Sequence, residues 1–322
     1  MADLFIHLKK YLPHNVLESI QILTEETKDK ITEIRLRLSR ACTITIGNEN
    51  VVLLDKSGNP LSLDENEISD CFKNICENSV YKYESEIKKG YITLNGGFRV
   101  GFCGTKSESG FVKDISSLNF RISKDIENAS KDIYPLLFEN EKIYSSLIIS
   151  SPCAGKTTIL SDIARKLSQE KIRVSIVDER CEIAAVHKGR PQKDVGDYCD
   201  VLDNYAKGEG MMIALRSLSP QVIICDEIGS DEDVRAMIQA MNAGVPVIAT
   251  AHGDSPSSFV HRPQMQQLIK SGAVERLFFL TGAHQPGVLR QMFDVRGLYE
   301  NIRDSSCVCG GDTNHPFIYT SS

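Results

Sequence analysis

The feature that most constrains this chain is a series of short, almost wholly apolar runs in its second half. Ser146-Leu147-Ile148-Ile149, Ile172-Arg173-Val174-Ser175-Ile176-Val177, Gln221-Val222-Ile223-Ile224-Cys225 and Gly244-Val245-Pro246-Val247-Ile248-Ala249 are of strand length and rich in β-branched residues. Leu277-Phe278-Phe279-Leu280 is a candidate fifth. Continuous apolar runs, unlike alternating ones, fit central strands of a parallel sheet buried on both faces. Helical spacing over 157–168, 210–217 and 231–243 fills the gaps between them. Strands alternating with helices predict a doubly wound, mostly parallel α/β domain.

The first third has a different texture. Apolar spacing after Pro13 predicts a helix over 12–27, and the alternation Thr32-Glu33-Ile34-Arg35-Leu36-Arg37-Leu38 predicts a half-buried strand. The run 51–54, after Gly47-Asn48, is the expected hairpin partner of that strand, and Ile68, Cys71, Phe72 and Ile75 mark a second helix. Asn95-Gly96-Gly97 between 91–94 and 98–102 is a strong hairpin signal. The chain has 322 residues, enough for about two domains at roughly 100–200 residues each. We therefore expect a smaller α+β domain over 1–138, an α/β domain over 139–304 and a flexible tail over 305–322.

The chemistry concentrates at the expected carboxyl ends of the strands, where open α/β sheets bind their ligands. Ser150-Ser151-Pro152-Cys153-Ala154-Gly155-Lys156-Thr157-Thr158 joins a strand to a helix and matches G-x-x-x-x-G-K-[ST], with Ser150 in place of the first Gly. Such a loop wraps phosphates with backbone N–H groups and a helix N-terminus. Lys156 would reach the β/γ-phosphates and the Thr157 hydroxyl would ligate Mg²⁺. Cys153 and Ala154 stand where glycine is usual, so Cys153 either weakens the loop or adopts the required backbone.

Three further strands end in reactive groups. Cys225-Asp226-Glu227 closes one, with Asp226 suited to Mg²⁺ and Glu227 to orienting an attacking water. Asp178-Glu179-Arg180 closes another, where Glu179 could position metal or water and Arg180 could neutralise phosphate charge or pair at the surface. His252, in Thr250-Ala251-His252-Gly253, could report a γ-phosphate, and Arg216 at the end of the helix before the Asp226 strand is a further cationic candidate.

Longer stretches carry a resemblance. They include Asp178-Glu179-Arg180-Cys181-Glu182-Ile183-Ala184, Lys188-Gly189-Arg190-Pro191-Gln192-Lys193-Asp194-Val195-Gly196, Lys207-Gly208-Glu209-Gly210-Met211-Met212 and Leu215-Arg216-Ser217-Leu218-Ser219-Pro220-Gln221. In the first domain they include Glu33-Ile34-Arg35-Leu36-Arg37, Gly96-Gly97-Phe98-Arg99-Val100-Gly101 and 115–122. Over about residues 30–300 the chain resembles the type II/type IV secretion traffic ATPases, in their branch concerned with endospore formation. The resemblance implies a RecA-like ATPase domain that binds ATP and Mg²⁺. It implies roles for Glu179 in an Asp box, for Asp226 and Glu227 in a second acidic strand and for His252 in a His box. It also implies a homohexamer in which Arg99 and Arg121 of the first domain reach the phosphates, although solvated strand arginines are the alternative reading. The phosphate loop departs from the family, since Ser151 and Cys153 replace its usual Pro and Gly.

The same resemblance implies work on a membrane-embedded channel or secretion complex from the mother-cell cytoplasm. The sequence contributes exclusions. No apolar window approaches 18 residues, and the first ten residues lack an export signal, so any membrane association is expected through partner proteins. Thirty-seven Lys+Arg against 43 Asp+Glu give −6 and no basic stripe, which argues against nucleic acid as a partner. The ten cysteines lie singly, as in a reduced protein. Cys307, Cys309 and His315 offer three zinc ligands only. A nucleotide-gated scaffold with little turnover and a small-molecule kinase are the rival functions.

Overall fold

The computed structural model describes residues 7–47, 49–108, 112–122 and 125–295. The expected tail and its Cys307, Cys309 and His315 lie outside the described residues. The chain forms two compact units, Met1–Lys124 with Ala185–Gln192, and Asp125–Ala184 with Lys193–Ser322.

The first unit is a six-stranded sheet in the order β3-β2-β1-β6-β5-β4. Its strands are β1 (Ile31–Arg37), β2 (Thr43–Ile46), β3 (Glu49–Val52), β4 (Tyr91–Thr93), β5 (Arg99–Lys106) and β6 (Val112–Arg121), and every pairing is antiparallel. The expected helix over 12–27 is two helices, α1 (His14–Gln21) and α2 (Glu25–Lys30). It breaks because the Thr24 side chain accepts from the Thr27 N–H and caps a new start. The expected pairing of the first strand is also corrected. β1 pairs with β2 and β6, while β3, which holds Val51 and Val52, pairs with β2. Thr43-Ile44-Thr45-Ile46 alternates as well as its neighbours do and lies between them. The predicted hairpin at Asn95-Gly96-Gly97 joins β4 to β5. Helix α3 (Glu65–Ile75), with a reciprocal Asp64/Glu67 capping box, buries Ile68, Cys71, Phe72 and Ile75 in the core, and a short helix α4 (Glu84–Lys89) precedes β4. The segment Ala185–Gln192 belongs to this unit: the His187 ring meets the Thr93 carbonyl at 3.0 Å, and Gln192 Oε1 accepts from the Gly96 N–H at 2.8 Å.

The second unit is built on a seven-stranded sheet in the order β11-β10-β12-β13-β9-β14-β15. Its chain begins earlier than the expected junction at residue 139, because 125–138 is tied down by Asp162. That buried carboxylate accepts from the N–H groups of Asn128 and Ser130 and from Ser130 Oγ. A small ribbon of β7 (Phe138–Glu139) and β8 (Lys142–Ile143) leads in. The sheet strands are β9 (Ser146–Ser150), β10 (Val174–Asp178), β11 (Cys199–Asp203), β12 (Val222–Cys225), β13 (Val247–His252), β14 (Arg276–Leu280) and β15 (Leu289–Asp294). All pairings are parallel except β14 with β15.

The five apolar runs are β9, β10, β12, β13 and β14, and all five are buried throughout except at His252. Helix α5 (Lys156–Gln169) packs beneath β9, β10, β12 and β13. The other face carries α6 (Lys207–Ser217) and α7 (Asp231–Asn242), whose Met211, Ala214, Val234 and Met237 share a core with Val177, Ile223, Cys225 and Ala249. Two short helices, α8 (Pro256–Val260) and α9 (Pro263–Ser271), follow β13. The strands β9, β10, β12 and β13 thus end along one sheet edge.

Candidate functional site

That edge gathers most of the chemistry. The loop after β9 turns on two left-handed residues, Cys153 at φ 60° and Gly155 at φ 85°. Cys153 is exposed and adopts the left-handed backbone that glycine would supply. Gly155 is required twice over: its φ is positive, and a Cβ there would lie 3.1 Å from the Gly287 nitrogen. The Gly287 N–H in turn donates to the Ala154 carbonyl at 2.9 Å. The connection between β14 and β15 therefore braces the loop, a contact the sequence reading missed although Pro286-Gly287 marks a turn.

Gly155 opens α5, so the helix N-terminus faces the loop. Thr157 and Thr158 lie half-buried in its first turn. Lys156 folds over the loop, where its Nζ donates to the carbonyls of Ser150 and Ser151 at 2.9 Å each and to Ser150 Oγ at 3.2 Å. Burial lowers its pKa, opposed by the charges of Glu227, Cys153 and Asp254. A cation beside a helix N-terminus is a combination that suits polyanionic phosphate.

The acids stand on the neighbouring strand ends. Asp226 is 4% exposed, and neither of its carboxylate oxygens has a hydrogen-bond partner among the described residues. Burial pushes its pKa up to about 7, against the pull of Lys207. Glu227 points to more open ground and accepts from Arg180 Nη1 at 2.7 Å. Glu179 is bonded by the ammonium of Lys207, which also lies 4.0 Å from Asp226. Lys207 is thus a site residue that the reading of individual motifs passed over. Asp178 is fully buried and works locally, accepting from the N–H groups of Glu182 and Ala184 at 2.8 and 2.9 Å, which shapes the turn that carries Glu179 and Arg180.

His252 ends β13 in register with Ser150, and its Nδ1 lies 3.2 Å from the Ser150 carbonyl. Arg262 holds the His252 carbonyl at 2.5 Å. Gly253 follows because a Cβ there would meet Ile149 and Phe259 at 2.8 Å. Glu179, Arg180, Lys207, Glu227, His252 and Arg262 line part of a cleft of about 870 Å³. The other candidate arginines stand elsewhere. Arg216 is exposed on the last turn of α6. At a helical rise of about 1.5 Å per residue it is roughly 13 Å along the axis from Lys207, at the helix end away from Glu179 and Asp226. Arg99 and Arg121 are cross-strand neighbours on β5 and β6 of the first unit, with the Arg99 guanidinium 3.5 Å over the Tyr91 ring.

The donors present suit a magnesium ion. Hard oxygen ligands are available in the Asp226 carboxylate and the Thr157 hydroxyl, and Mg²⁺ usually completes its shell with waters and phosphate oxygens. An unsatisfied carboxylate this deeply buried is costly unless a cation serves it.

The chain is similar to known proteins in sequence and in fold. The family model described as "Sporulation stage III, protein AA" matches residues 10–299. The chain is 38% identical over 299 residues to stage III sporulation protein AA of Bacillus subtilis (strain 168), covering 90% of this chain and 95% of that one. Its fold is similar to that of the Legionella pneumophila ATPase DotB, with a TM-score of 0.61 at 14% identity, covering 91% of this chain and 85% of that one. It is also similar to the pilus retraction motor PilT with bound ADP, with a TM-score of 0.55 at 17% identity over 79% of this chain and 76% of that one. The chain accordingly shares the α/β fold of these ATPases.

Proposed function

This chain belongs to the sporulation stage III protein AA family, and from that premise we propose that it binds ATP with Mg²⁺ and hydrolyses it. The observation that carries the reading is the convergence at one sheet edge of the Lys156 ammonium, the buried Asp226 carboxylate and the partly exposed Glu227 carboxylate. The loop N–H groups and the α5 N-terminus bind the β- and γ-phosphates, and Lys156 leaves its three oxygen partners for the phosphate oxygens. Asp226, through water, and the Thr157 hydroxyl would hold Mg²⁺, which when bound neutralises charge on the phosphates. Glu227 orients and polarises the attacking water once Arg180 releases it or holds it in line. Glu179 would help to hold the metal, and His252 would sense the γ-phosphate through the ring nitrogen that does not face the Ser150 carbonyl.

Transfer of the phosphoryl group spreads charge over its oxygens, so a supplied cation lowers the barrier. Arg99, Arg121 and Arg216 are the candidates, and a homohexamer would let them act on a neighbour's nucleotide. The work done is assembly of, or transport through, a membrane-embedded channel complex during endospore formation, carried out from the mother-cell cytoplasm. Among the described residues no helix is long and apolar enough to cross a membrane.

A nucleotide-gated scaffold is the second reading, favoured by the non-glycine residue at φ 60° in the phosphate loop. Steady-state phosphate release separates the two. We expect Mg²⁺-dependent release by the wild type, its loss in Lys156→Ala together with ATP binding, and its loss in Glu227→Gln with ATP binding retained. Equal, background-level release from wild type and Glu227→Gln, with ATP still bound, selects the scaffold.

A further inference from the structure

Lys207 breaks two local rules. It is the first residue of α6, where the helix dipole disfavours a cation, and it is 9% exposed although lysine is rarely buried. Something must offset both penalties, and the offset is visible. Its ammonium bonds Glu179 at the end of β10 and lies 4.0 Å from Asp226 at the end of β12, so it spans two adjacent acid-tipped strands. Arg180, the other cation whose charge reaches Asp226, is bonded to Glu227.

We propose that Lys207 is a positioning residue and the resident countercharge of the magnesium site. It balances Asp226 and Glu179 until a divalent cation arrives, then yields Asp226 to that cation while keeping Glu179 aimed across the strand ends. The proposal rests on the reading of Asp226 as the carboxylate that serves Mg²⁺. One consequence follows from Coulomb's law: a fixed ammonium 4.0 Å from Asp226 repels a free divalent cation. The site should therefore take up metal weakly alone and well only when nucleotide phosphates bring it. Such a site has its two carboxylates partly offset between turnovers and discriminates against metal without nucleotide.

The test titrates the full-length protein with Mn²⁺ alone, read by electron paramagnetic resonance in the absence of nucleotide. Lys207→Met removes the charge and keeps the apolar stem, and Lys207→Gln serves should the first variant fail to fold. We expect the neutral variant to bind Mn²⁺ at least about tenfold more tightly than the wild type. Lys207→Arg should behave as the wild type does, and the double variant with Asp226→Asn should lose the gain. Mn²⁺ affinity that is unchanged or weaker in the neutral variants, or a gain that survives Asp226→Asn, overturns the proposal. ATP binding by the wild type, measured separately with a fluorescent analogue, decides the reading of the phosphate loop; the Mn²⁺ titration does not depend on it.

Discussion

At the scale of single residues, the site sets function against stability. Asp226 is buried without a hydrogen bond, and its carboxyl is pushed up to about 7, above its ordinary value near 4. The native state therefore holds a proton that the unfolded chain releases between those two values, so this residue's contribution to stability is greatest below the window and falls as pH rises through it. Asp226→Asn should stabilise the protein above pH 7 at about 1.4 kcal/mol per pH unit of that window, and the gain should vanish near pH 4, as followed by denaturant melts across pH. Cys153 gives the opposite lesson. Glycine there would relieve about 1 kcal/mol of left-handed strain and lose a similar amount in unfolded-state entropy. Cys153→Gly should leave both melting temperature and phosphate release nearly unchanged, whereas Cys153→Val should lower the melting temperature by several degrees. A tenfold rise in turnover with glycine would show that the loop as it stands restrains catalysis.

At the scale of elements, what the sequence made legible follows from burial. The five strands of the second unit covered on both faces read as unbroken apolar runs and were found. The strands at the two sheet edges, β11 and β15, mix Asp200, Asp203, Arg290 and Gln291 with apolar residues and are only half-buried, so no run announces them. The loop bracing Gly155 was invisible for a similar reason, since its contacts are long-range backbone ones. Lys207 escaped because its partners, Glu179 and Asp226, meet it only through the fold. The loop over 150–158 and the two acidic strand ends, in contrast, carry their candidate chemistry in contiguous residues. The start of the second unit is set by another buried carboxylate, Asp162, which collects Asn128, Ser130, Arg165 and Lys166. Asp162→Ala would leave buried Arg165 unpaired and release 128–130, at a cost of roughly 3–5 kcal/mol measured by urea unfolding. Faster amide exchange at Asn128 and Ser130 should accompany it.

At the scale of the whole molecule, the arginines are the open end of the site. Arg180 is occupied with Glu227, Arg216 lies at the far end of α6, and Arg99 and Arg121 belong to the first unit's sheet. Under the proposed ATPase reading, a phosphoryl-transfer site that needs a further cation would gain it by assembly, and catalysis would become a property of the assembly. The measurement that bears most directly on this account is steady-state phosphate release as a function of protein concentration, with Mg²⁺ and saturating ATP. We expect specific activity to rise with concentration as the assembly forms and to vanish at every concentration in Glu227→Gln. Phosphate release at background level throughout, or equal in wild type and Glu227→Gln, would contradict the claim that this chain is an ATPase.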